Sequence, residues 1–121
     1  MTELSCLTTE EFEQLLKQRI DMFIKHAESV QDKHWEDNSF SWPKPPFSLV
    51  FGSRWCKIVR DNAAYGFIAL KTFSNKTVGN VKAGDIHRSA SWKIPAKTAR
   101  GSVFTDAFND CATPYGIKYL N

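Results

Sequence analysis

Between Lys82 and Arg100 the chain concentrates side chains that bind anions. Lys82, Arg88, Lys93, Lys97 and Arg100 stand there against a single acid, Asp85, with His87 and Trp92 interleaved. Pro95 suits the first position of a helix, where its missing N–H costs nothing, and Gly101 suits the stop after it. The spacing therefore predicts a short helix over residues 95–100. Lys93 and Lys97 are four apart, Lys97 and Arg100 three apart, so helical geometry puts them on one side. An oxyanion at the start of that helix would meet free backbone donors and ammonium groups together. The Arg100 guanidinium is a planar fork suited to phosphate. Trp92 supplies a ring on which a base can stack, a contact of roughly 1–3 kcal/mol. Arg88 and, from an upstream strand, Phe67 complete the candidate binding set. The plainer reading of the same residues is a solvated basic face with Trp92 in the core.

Signs of catalysis are few. His26, His34 and His87 fall in three different segments, and no HExxH, paired-cysteine zinc pattern, GxSxG elbow or phosphate-binding glycine loop occurs. A Cys56–His87 dyad across a sheet is conceivable, since nucleophile and base need only be neighbours in space; a strand cysteine beside Trp55 is more often a small buried hydrophobe. Asp85 alone is a poor magnesium site without help from substrate phosphates. The expectation is a protein that is not an enzyme, with no catalytic residue, no metal and no cofactor.

The elements that must position the basic stretch are a helix followed by strands. Thr8 and Glu11 have capping-box spacing, and Glu10, Glu11 and Glu13 crowd the positive end of the helix dipole. Phe12, Leu15, Leu16, Ile20, Phe23, Ile24, Ala27 and Val30 recur at three- and four-residue steps, which predicts one amphipathic helix over residues 8–31. Its stripe serves as core against a sheet or as an interface between subunits. Residues 34–48 carry Pro43, Pro45 and Pro46 among Trp35, Phe40, Trp42 and Phe47, an aromatic, proline-rich connection. Beyond it, residues 54–60 alternate imperfectly, with Cys56 and Ile58 on one face and Trp55, Lys57 and Val59 on the other. Asp61-Asn62 is a turn, residues 65–70 a second strand, Ser74-Asn75-Lys76 a turn, residues 77–81 a third strand, and residues 86–88 a fourth. Pro114-Tyr115-Gly116 is a turn in a tail too mixed to assign. The expected class is α+β: a long N-terminal helix on a small antiparallel β-meander within a single domain, residues 1–121, whose β-rich basic region covers 49–104.

Composition bounds the function. The chain has 121 residues, 42% hydrophobic and 24% charged, as in an ordinary folded domain. No apolar run approaches the roughly 20 residues that span a bilayer, and the acidic N-terminus lacks an export signal. Cys6, Cys56 and Cys111 are isolated and odd in number, which fits a reducing compartment. Asn75-Lys76-Thr77 matches the glycosylation pattern but carries no weight without export. Net charge is +3, unevenly spread: residues 1–39 hold nine acids against four Lys/Arg, residues 40–121 four acids against twelve. Such asymmetry points to a polyanionic partner or to neutralisation between the two halves.

Residues 84–104, from Gly84-Asp85-Ile86-His87-Arg88 through Trp92-Lys93-Ile94-Pro95-Ala96-Lys97 to Arg100-Gly101-Ser102-Val103-Phe104, resemble the C-terminal box of small tailed-phage proteins. That box reads G-D-I/V-x-K/R-x-A-x-W-K-x-P-A-K-x-x-R-G. The resemblance covers roughly residues 55–104 and implies a viral origin and the cytoplasm of an infected cell; it implies no activity. It raises Trp92, Lys93, Lys97 and Arg100 above a generic basic face. The leading expectation is a non-enzymatic protein that binds a phosphate-bearing ligand, sequestering a host defence signalling nucleotide, as a homo-oligomer joined through the N-terminal helix. The alternatives are a viral single-stranded nucleic-acid-binding protein and a protein-inhibitor module that docks on a host enzyme. No membrane partner is expected.

Overall fold

The computed structural model describes residues 8–41, 43–76, 78–114 and 116–118, with the backbone alone for Asn75 and Ala107. Cys6, Trp42, Thr77 and Tyr115 lie outside the described residues.

Helix α1 spans Thr9–Asn38. It begins as its sequence dictates: Glu11 N–H donates to Thr8 Oγ1 at 3.1 Å, and Thr8 N–H donates to Glu11 Oε1 at 3.2 Å, a complete capping box. It outlasts the expected end and takes in His34–Asn38. The first residue that bars a helix is Pro43, and Ser39 stops it earlier by turning left-handed at φ 51°. At about 1.5 Å per residue α1 is roughly 45 Å long. Its buried residues Leu16, Ile20, Phe23, Ala27 and Gln31 follow four- and three-residue steps. The apolar ones enter the main core, so the stripe is consumed within the chain. Of the two expected uses of the stripe, core against the sheet is the one its burial shows.

The strands are β1 (Phe47–Phe51), β2 (Trp55–Arg60), β3 (Ala63–Ala69), β4 (Phe73–Asn75), β5 (Gly79–Val81), β6 (Asp85–His87), β7 (Gly101–Ser102), β8 (Ala112–Thr113) and β9 (Gly116–Ile117). The main sheet is antiparallel in the order β1-β2-β3-β6-β7. The expected third strand joins no part of it: β5 pairs with β4 as a separate hairpin, as β8 does with β9. The class is α+β, a long helix and an antiparallel sheet. No helix among the described residues is long and apolar enough to cross a membrane.

Strand alternation gives the sheet two different faces. Cys56 pairs with Ile68 and Ile68 with Ile86, and this row packs under α1 with Ile20 and Phe23. Lys57 pairs with Phe67 and Phe67 with His87, a row on the opposite face. There Trp55 and Phe73 cover a smaller cluster of Ala69, Val78 and Val81. A bulge after Ile58 leaves Tyr65 unpaired. Its ring packs edge-on to Phe47 at 5.0 Å and its hydroxyl donates to Thr113 O at 2.8 Å.

The expected short helix at residues 95–100 does not form. Pro95 makes a β-bridge with Ser89. Ala96 N–H donates to Arg88 O at 2.7 Å and Arg100 N–H to Ile86 O at 2.8 Å. Thr98 takes φ 68°, incompatible with a right-handed turn. Six residues repay helix nucleation poorly, and cross-chain partners satisfy the backbone instead. Gly101, expected as the stop of that helix, is a strand residue paired with Ile86. A Cβ there would come within 2.6 Å of Phe108 O, so the position needs glycine for close approach.

Candidate functional site

Residues 88–97 form a looped-out hairpin on the Lys57 face of the sheet. Ala90 N–H and Ser91 N–H both donate to Ile94 O, at 2.8 and 3.1 Å, closing a tight tip. The Ser89 hydroxyl donates to Ala64 O at 3.0 Å and fastens the hairpin base to β3. Pro95 is buried, while Trp92, Lys93 and Ile94 at the tip and Lys97 beyond it are exposed.

His87 anchors this hairpin from below. It is fully buried, and its Nδ1–H donates to Ala96 O at 2.7 Å. The Trp55 ring meets it edge-on at 5.0 Å. Burial pushes its pKa below the ordinary value and the Arg100 charge pushes the same way; the Ala96 carbonyl and Asp85 oppose them less strongly. The imidazole is thus neutral, and its buried Nε2 has no hydrogen-bond partner among the described residues.

The expected binding set divides in two. Trp92, Lys93 and Lys97 face solvent, with the indole 47% exposed. Arg88, Arg100 and Phe67 serve the fold. Arg88 Nη1 donates to Ile117 O at 2.8 Å. Arg100 folds back so that Nη1 donates to the carbonyls of Lys97 and Thr98; desolvation, then the neighbouring Arg88 charge, lowers its pKa. Phe67 is buried against Trp55, ring centroids 6.1 Å apart. The two guanidinium forks therefore bind the chain's own carbonyls, and the helical cradle proposed for an oxyanion is absent.

Lys57 joins the set, although its local sequence gave no reason to single it out. Its Nζ lies 4.0 Å from the centroid of the Trp92 ring and 5.9 Å from that of Phe67. The alternation Trp55-Cys56-Lys57-Ile58 puts it on the outer face; its meeting with Trp92 depends on the hairpin folding over. Among the described residues the one ion pair is Lys44–Asp32, so Lys57, Lys93 and Lys97 have no carboxylate within salt-bridge distance. Acids outnumber bases on the exposed side of α1, where Glu10, Glu11, Glu28, Asp32, Glu36 and Asp37 stand against Lys25 and Lys33, whereas Lys57 lies on the opposite face of the sheet, under the hairpin that carries the exposed Lys93 and Lys97.

Two concavities lie elsewhere. One, about 600 Å³, separates α1 from β1 above Leu16, Leu49, Phe51 and Leu70. The other, about 360 Å³, lies among His34, Trp35, Phe40, Arg60, Asp61 and Pro114. Neither is lined by any residue of the expected binding set. The Cys56–His87 dyad fails on geometry, because the two side chains leave opposite faces of the sheet. Burial, helped by Asp21, pushes the Cys56 thiol up to about 12, so it is no nucleophile. Among the described residues no group of three or more His, Cys, Asp or Glu is placed to hold a metal ion.

A family model described as a family of unknown function, DUF7717, matches residues 3–113, so the chain belongs to that family. No curated protein and no solved structure matches it.

Proposed function

We propose that this DUF7717 protein binds single-stranded nucleic acid on the surface made by Lys57, Trp92, Lys93 and Lys97. The observation that carries the reading is the half-exposed indole of Trp92 with the Lys57 ammonium 4.0 Å from its ring centroid, on a segment whose exposed Lys93 and Lys97 have no carboxylate partner among the described residues. An unstacked base finds a π-face there, and the lysines take the phosphates that flank it. The surface projects from a hairpin tip rather than lining a cavity, which suits a continuous strand better than an enclosed mononucleotide. The acidic outer side of α1 repels the same polyanion and orients it toward the lysine face. The likeness of residues 84–104 to the tailed-phage box supports a setting in the cytoplasm of an infected cell.

Fluorescence anisotropy of a labelled single-stranded oligonucleotide at two salt concentrations tests the reading. Three lysine–phosphate contacts give a log–log salt slope of about −2, at about −0.7 per neutralised phosphate on a single strand. A saturable mononucleotide complex with little salt dependence would return the function to ligand sequestration. No binding to either would overturn both readings.

A further inference from the structure

We propose that the outer edge of β1 docks a second copy of this chain, the two β1 strands pairing antiparallel about a two-fold axis so that the sheets join into one. This inference stands apart from the nucleic-acid reading. Among the described residues β1 ends the main sheet and pairs with β2 alone. Gly52 N–H donates inward to Trp55 O at 2.9 Å. Backbone groups alternate along an antiparallel strand, so Ser48 and Val50 also bond toward β2 while Leu49 and Phe51 turn their N–H and C=O outward. Folded proteins ordinarily blunt such an edge with a charge, a proline, a bulge or a cover. Phe47-Ser48-Leu49-Val50-Phe51 contains no charge and no proline, and its ladder with β2 is unbroken.

The opposite edge shows what protection looks like. β7 has two residues, and the Ser102 amide is capped by Asn109 Oδ1 at 2.9 Å. Among the described residues nothing comparable covers β1. Val50 is 56% and Phe51 51% exposed, one on each face of the edge.

Charge selects the occupant. The outer side of α1 is acidic and the Trp92 face basic, so each repels its own copy. The groove beside β1 is apolar in its floor, and its rim carries Glu13 and Asp21 against Lys17 and Lys71. A copy of this balanced rim meets no net charge. Antiparallel edge pairing is also self-complementary, as a two-fold interface must be. The axis runs perpendicular to the sheet, which leaves both helices on one side and both Trp92 hairpins on the other.

Sedimentation velocity over a micromolar-to-millimolar series of the full chain tests this. The expected species has twice the 13.8 kDa mass of the chain. Phe51→Pro removes an outward amide, Val50→Lys adds like charge beside the axis, and both shift the species to monomer with unchanged circular dichroism. Met22→Lys, on the exposed side of α1, leaves the dimer intact. A parent chain that is monomeric throughout overturns the proposal, and so does a dimer that survives Val50→Lys. Loss of the dimer in Met22→Lys alone would move the interface to α1 and overturn it equally.

Discussion

The buried imidazole of His87 donates its Nδ1 proton to Ala96 O at 2.7 Å, and this bond ties the Trp92 hairpin to the middle of the sheet. Burial holds the His87 pKa below its ordinary value of 6.5. The unfolded chain therefore binds a proton more readily than the folded one in the interval beneath 6.5. Stability is complete above that value and falls as pH drops through the interval. His87→Asn keeps an N–H donor and removes the titration. Thermal melts at pH 7.5 and pH 5 should show a larger loss for the parent than for this variant. Equal losses would show that His87 does not titrate against folding.

Trp92 and Lys57 separate stacking from charge. Trp92→Ala should weaken a single-stranded oligonucleotide by about 5- to 150-fold, the equivalent of the roughly 1–3 kcal/mol of a stacked base. Lys57→Met should weaken binding and reduce the salt slope by about 0.7. Arg100→Ala should instead lower the melting temperature, because its guanidinium holds the carbonyls of Lys97 and Thr98. Trp92→Ala binding as tightly as the parent would remove stacking from the account.

Phe23 is fully buried in α1 and meets Phe108 edge-on at 5.2 Å, whereas its neighbour Met22 is 49% exposed. Phe23→Ala should cost about 3–5 kcal/mol in urea denaturation. Met22→Ala should stay within about 0.5 kcal/mol of the parent. Similar costs at the two positions would contradict the packing of α1 on the sheet.

Local periodicity made the main architecture legible. The four- and three-residue steps of Leu16, Ile20, Phe23 and Ala27 placed the core face of α1, and Cys56/Ile58 against Trp55/Lys57 placed the two faces of β2. The basic stretch was harder, because its outcome is set by partners distant in sequence. Pro95 and Gly101 carry valid helix signals, yet Ala96 and Arg100 find their carbonyls on Arg88 and Ile86. Nothing local to Arg88 announces that Ile117 O will take its guanidinium. Of the expected site, the exposed Trp92, Lys93 and Lys97 remained available to a ligand, and Lys57 joined them only through the folded hairpin.

Cys56 and Cys111 should be chemically silent in the folded protein. Both are fully buried, and burial pushes their thiols up to about 12 and about 11, so almost no thiolate exists at neutral pH. Peptide mapping after brief iodoacetamide treatment at pH 8 should find both unmodified, and both alkylated in denaturant. Rapid native modification of Cys56 would reopen a reactive role for it.

Gly84 is required twice over, by its backbone and by its neighbour. It sits at φ 94°, and an added Cβ would stand 2.5 Å from Phe104 Cε2. Its N–H donates to Ala69 O and its carbonyl accepts from Val103 N–H, at 2.8 and 2.9 Å, so the backbone cannot swing away without losing both bonds. Gly79 offers the control: its φ is 79°, with nothing within 4 Å of a Cβ. Gly79→Ala should cost about 1–2 kcal/mol, the backbone penalty alone. Gly84→Ala should cost that plus the displacement of the Phe104 ring, an overpacking penalty of about 1–3 kcal/mol. Shortening the ring in Gly84→Ala/Phe104→Leu should recover part of the difference, so the double variant should be less destabilised than the sum of the two single changes. Additive costs would mean that the ring moves aside freely, leaving the left-handed backbone as the sole reason for glycine at position 84.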